Sequence, residues 1–113
     1  MWFKSKSPLG DFEQLVLFGV MRLEDGAYGA AIRQEIHARS GRDVSINAVY
    51  TTLDRLESKG LLKSWVGEPT AQRGGRAPRL VAVTEAGLAA LKRTREVRDR
   101  LLEGLDGALG GRS

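Results

Sequence analysis

The segment Arg73-Gly74-Gly75-Arg76-Ala77-Pro78-Arg79 sets three guanidinium groups around a pair of glycines. A guanidinium grips phosphate oxygens through a planar fork of donors, and glycine lets a backbone approach a groove closely, so the chemistry on offer is polyanion binding. The alternative for this stretch is a solvated loop, but a loop does not need that composition. Charge is distributed accordingly. From Lys59 to Val83 the basic residues are Lys59, Lys63, Arg73, Arg76 and Arg79 and the one acid is Glu68, while the rest of the chain sums to zero. The net charge of +4 therefore sits in one window. Just ahead of it, Asn47, Ala48, Thr51, Arg55, Ser58 and Lys59 fall at helical spacing opposite Ile46, Val49, Leu53 and Leu56. Asparagine can read adenine through two hydrogen bonds, arginine can hold guanine or phosphate, and the methyls of Ala48 and Thr51 can meet a thymine methyl. No acid is expected at the centre of this outer face. Tyr50 lies at its border, as core or as phosphate ligand.

Catalytic chemistry has little to work with. His37 is the sole histidine, flanked by Ile36 and Ala38 on an amphipathic stretch with no nucleophile motif nearby. No glycine-rich phosphate loop precedes a helix, and no cluster has metal-ligand spacing. The absence of cysteine excludes disulfides and thiolate metal sites and asks for no oxidising compartment. Neither an enzyme nor a cofactor is expected. A cytoplasmic location is, because Met1-Trp2-Phe3 is broken at once by Lys4 and Lys6 and no long uncharged apolar run follows.

Elements that position these residues can be placed by periodicity and caps. Asp11, with Gln14 three positions on, is predicted to cap a first helix that is apolar on nearly every side through Phe12, Leu15, Val16, Leu17, Phe18, Val20, Met21 and Leu23, and must be buried. A second helix runs from about Ala27 to Arg39, carries Tyr28, Ile32 and Ile36 at spacing four, and stops at Gly41. Val44 is a candidate very short strand. Ser45 caps a third helix that ends at Gly60. Leu61–Val66 and Arg79–Val83 then read as a hairpin with a long basic tip, and Thr84 caps a last helix carrying Leu88, Leu91, Val97, Leu101, Leu102 and Leu105. Gly104, Gly107, Gly110 and Gly111 should fray its end. The expected fold is mainly α (α+β), a winged helix-turn-helix in residues 8–84 with a C-terminal helix in 85–109 of the same compact unit, between flexible ends 1–7 and 110–113. A helix with a polar outer face followed by a basic hairpin forms a two-part DNA clamp. A winged helix used only as a protein-protein module would share the core pattern but not the clustered charge.

Several runs also resemble the PadR family of transcriptional regulators, in its subgroup with one short C-terminal helix. They are Leu9-Gly10-Asp11-Phe12-Glu13-Gln14-Leu15-Val16-Leu17, Ala27-Tyr28-Gly29, the long run from Ser45 to Leu61, Gly67-Glu68-Pro69-Thr70, Arg73-Gly74-Gly75-Arg76 and Val83-Thr84-Glu85-Ala86-Gly87. Together they span about residues 9 to 105. The resemblance implies a homodimeric repressor on an inverted-repeat operator, with Ser45, Asn47, Ala48, Tyr50, Thr51, Arg55 and Lys59 on the DNA-reading helix. It further implies that Arg73, Gly74, Gly75, Arg76 and Arg79 form the wing and that Tyr28 contacts the DNA backbone. Dimerisation would use Leu91, Leu101, Leu102 and Leu105, whose alternative is a place in the chain's own core. Some members bind aromatic or multidrug-like ligands at the dimer interface, which makes Trp2, Phe3 and Trp65 candidates to line an effector pocket for an aromatic or hydrophobic small molecule. Family members often carry aromatic residues in the second wing strand, where this chain has Leu80, Val81 and Ala82.

Overall fold

The computed structural model describes residues 9–69 and 77–110. Helix α1 (Asp11–Leu23) follows Gly10, which is extended and has no side chain to cap with. The cap is supplied from inside the helix: the Glu13 carboxylate accepts the Gly10 backbone N–H at 2.9 Å. This moves the cap one residue earlier than Asp11, and Gln14 instead donates its side-chain amide to the Leu9 carbonyl at 3.2 Å. A 3-10 turn, Glu24–Gly26, ends the helix, with Glu24 at φ 50.

Helix α2 (Gly29–Ser40) buries Ile32 and Ile36 and stops at Gly41, whose φ of 73 favours glycine. Val44 does not form a strand. Its carbonyl accepts from Arg33 Nε at 2.7 Å, which pins the turn into α3 (Ile46–Ser58). Ser45 caps α3 as expected, its hydroxyl accepting the Ala48 N–H at 3.0 Å.

Strands β1 (Leu62–Val66) and β2 (Arg79–Val83) pair antiparallel, with Leu62 opposite Val83 and Val66 opposite Arg79. The outer edge of β2 is met by the link between α1 and α2, where the Ala27 carbonyl accepts the Val81 N–H at 2.9 Å. Aliphatic residues serve where aromatic ones were looked for: Val81 is fully buried and Leu80 packs over Gly67.

Helix α4 (Glu85–Leu102) is capped by Thr84, which accepts the Gly87 N–H at 3.1 Å and donates to the Gly60 carbonyl at 2.7 Å. Its first turns lie against the sheet, close enough that Gly87 leaves no room for a Cβ beside the Leu61 carbonyl. The helix stops at Leu102 rather than continuing toward 109, and turns follow through Gly104 at φ 82.

The core joins Val16, Leu17 and Val20 of α1, Ile32 and Ile36 of α2, Val49, Leu53 and Leu56 of α3, Leu62 and Val81 of the sheet and Leu91 of α4. Full burial of α1 is not observed. Phe18 and Met21 stand more than 40% exposed on the side facing α4. One helix face suffices to close this small core, and the other apolar face of α1 is left over.

Candidate nucleic-acid interface

The geometry of the site begins with how α3 is seated. Val49, Thr52, Leu53 and Leu56 are its buried residues, so Thr52 takes the place expected for Ile46, which is only half-buried. That substitution rotates the helix. Asn47, Thr51, Asp54 and Ser58, at i, i+4, i+7 and i+11, now form the ridge farthest from the core and all are exposed. Arg55 is exposed beside them, whereas Ala48 is drawn half into the protein. The outer face therefore contains an acid, Asp54, contrary to expectation.

Asp54 is not left alone. Arg79, at the root of the hairpin, donates from Nη1 to Asp54 Oδ1 at 2.9 Å and from Nη2 to Glu57 Oε1 at 2.7 Å, and Ser64 of β1 donates its hydroxyl to Glu57 Oε2 at 2.8 Å. The hydrogen bonds from Ser64 and then Arg79 hold the Glu57 carboxyl below the usual range. Burial works against the charge on Arg79, but its bonds to Glu57 and Asp54 prevail and raise its pKa. Strand alternation makes this possible, since Arg79 shares a sheet face with Val81 and that face looks at α3.

Lys59 is also engaged. Its ammonium lies 2.9 Å from Glu13, a carboxylate only 7% exposed, and so ties the end of α3 to the start of α1. Burial opposes the Glu13 charge, but the hydrogen bonds from Lys59 and Gly10 N–H, with the charges of Lys59 and Arg55, outweigh it and hold its pKa low. Tyr50 proves to be a boundary residue: its ring lies over Gly29, where a Cβ would come within 2.5 Å of it. Tyr28, next in line, sits half-buried at the start of α2.

The structure leaves Asn47, Tyr50, Thr51 and Arg55 exposed on α3, with Ser45 exposed at its cap and Tyr28 half-buried at the cap of α2. Arg73, Gly74, Gly75 and Arg76 of the expected wing tip lie outside the described residues, and so do Trp2 and Phe3. Glu13, Glu57 and Ser64 were not singled out from sequence. The i, i+3 spacing of Asp54 and Glu57, with Arg79 opening the second strand, was a usable signal.

A family model described as the transcriptional regulator PadR-like family matches residues 17–93. The chain belongs to the PadR-like family of transcriptional regulators. A protein of Mycobacterium tuberculosis named transcriptional regulator Rv3488 is 39% identical over 92 residues, which cover 80% of this chain and 77% of that protein. The crystal structure of a PadR family transcriptional regulator from Eggerthella lenta superposes with a TM-score of 0.64 at 26% identity, over 88% of this chain and 86% of that one. A PadR-like regulator from Bacillus cereus, at 18% identity, shares the fold with a TM-score of 0.69 over 89% and 93% of the two chains. The winged helix described above is thus a PadR-like one, mainly helical, and its work is DNA-binding regulation of transcription.

The residues expected at a dimer contact separate in this PadR-like fold. Leu91 is buried in the chain's own core cluster, the alternative the sequence left open, and lines the groove between α1 and α4. Leu102 is half-buried, Leu101 is 73% exposed, and Leu105 lies exposed in the turn beyond α4. A groove of ≈ 210 Å³ runs between α1 and α4 past Phe18, Met21, Leu88 and Leu91, with Lys92, Arg95 and Arg98 along it. Trp65 belongs to a second depression of ≈ 320 Å³, walled by Val20, Met21, Ala82 and Leu88 and edged by Glu24 and Asp25. Among the described residues no helix is long and apolar enough to cross a membrane, and no group of histidine, aspartate and glutamate side chains could hold a metal.

Proposed function

We propose that this PadR-like regulator is a homodimeric repressor that places one α3 per protomer in the major groove of an inverted-repeat operator, with the hairpin as wing. The observation that carries the proposal is the exposed ridge of Asn47 and Thr51, flanked by Arg55, on a helix whose opposite side is locked into the core. Rigid backing is what base-edge hydrogen bonds require, because discrimination depends on donors held at fixed positions. Arginines 73 and 76 would add backbone or minor-groove contacts from the wing tip.

The dimer would form through α4 and α1. Val97 and Leu101 on α4 and Phe18 and Met21 on α1 are all large, apolar and exposed, which a second copy would cover by two-fold symmetry. Half-site centres would then lie about 10 base pairs apart or a multiple of that. An aromatic or hydrophobic effector entering beside Trp65 would touch Met21 and Leu88, which also line the α1–α4 groove, so its binding would press on the dimer face.

Sedimentation and gel shift with salt titration test the proposal together. The wild-type chain should be dimeric at micromolar concentration and Leu101→Asp with Leu105→Asp monomeric. Affinity for a duplex enriched from a random-sequence pool should fall steeply with salt, as phosphate neutralisation demands. A monomeric wild type overturns the dimer, a salt-independent or absent shift overturns the DNA interface, and a reporter activated through the enriched site overturns repression.

A further inference from the structure

We propose that Arg79 serves DNA binding indirectly: it does not grip DNA, but neutralises and masks the carboxylates of Asp54 and Glu57 on the recognition helix. This rests on the DNA-binding role of α3 and says which of the basic residues in the charged window work there indirectly. Each terminal nitrogen of the guanidinium donates within the protein, one to each carboxylate, at 2.9 and 2.7 Å. Glu57 holds Ser64 as well, so both strands of the hairpin are fastened to one turn of α3.

Electrostatics gives the fastening its purpose. Asp54 shares the exposed ridge with Asn47 and Thr51, and its side chain is 70% exposed. A bare carboxylate there would face the phosphates that α3 must approach, and like charges across a few ångströms oppose association. Were Arg79 to swing out to a phosphate, it would uncover two negative charges to satisfy one. With Arg79 in place the trio of side chains carries −1, and without it −2, from two carboxylates and one guanidinium. Removing all three charged groups brings the trio to zero, so a protein lacking the carboxylates has no need of the arginine.

The experiment compares wild type, Arg79→Ala, and Arg79→Ala combined with Asp54→Asn and Glu57→Gln, on a duplex enriched from a random-sequence pool by the wild-type protein, with circular dichroism melts to confirm folding. Arg79→Ala should bind about tenfold more weakly, and the triple variant should return to within about threefold of wild type. Three results overturn the proposal: Arg79→Ala binding as wild type does; a triple variant that stays weak while its slope of log affinity against log salt drops by about 0.9, the mark of a lost phosphate contact; or a triple variant that stays weak with the slope unchanged, the mark of a misplaced wing. If Arg79→Ala does not fold, the triple variant against wild type decides alone. A wild-type chain that enriches no duplex would instead overturn the DNA-binding role itself, and this inference with it.

Discussion

Replacing Glu13 should show how strongly the start of α1 is tied to the end of α3. Its carboxylate accepts the Gly10 N–H at 2.9 Å and the Lys59 ammonium at 2.9 Å while nearly shielded from solvent. Loss of the cap costs about 1 kcal/mol, and loss of the ion pair about 1 kcal/mol, the latter kept small because Lys59 can turn to water. Glu13→Ala should therefore lose about 2 kcal/mol, roughly 10 °C in melting temperature for a chain of this size. Glu13→Gln keeps an acceptor for Gly10 and loses the charge, so it should lose about 1 kcal/mol. The pH dependence has a definite sign. The folded pKa of Glu13 lies below its unfolded value, so the stabilisation is complete above the unfolded pKa and is lost as pH falls through the folded one. Wild type and Glu13→Gln should differ at neutral pH and converge in acid. Urea unfolding at fixed protein concentration, across that pH range, measures both quantities. Refutation would be Glu13→Ala within about 0.5 kcal/mol of wild type at neutral pH, or a wild-type-to-Gln gap that does not close in acid.

Gly87→Ala should destabilise by about 1–3 kcal/mol in a thermal melt, because the new methyl meets the Leu61 backbone carbonyl, which cannot rotate away, and Val83 Cγ1 at 2.6 Å. Ser45→Ala should cost about 1 kcal/mol in urea unfolding by leaving the Ala48 N–H without its cap. Asn47→Ala should reduce discrimination at one or two base positions by about 1–3 kcal/mol in competition between enriched and random duplexes; equal loss on both would make Asn47 a phosphate contact.

Much of this architecture was legible in the residues because the forces concerned are local. Ser45 and Thr84 cap their helices as expected, Gly41 ends α2, and the hairpin strands fall where alternation places them, each set by neighbours a few residues away. The runs resembling PadR proteins added the family, which no cap or period could supply. What the chain's order could not decide was which partner each long side chain would meet. The face of α3 shifted because Thr52, a residue of intermediate polarity, is covered by the neighbouring elements while Ile46 is only partly so. The same packing carried Asp54 outward, and the register of β2, set by pairing across the hairpin, aimed Arg79 at it from 25 residues away. Lys59 and Glu13 meet across 46 residues for the same reason. Periodicity assigns a residue to a face of its own element; only the packing of elements decides whether an exposed-looking cation finds a carboxylate of its own chain or stays available for DNA.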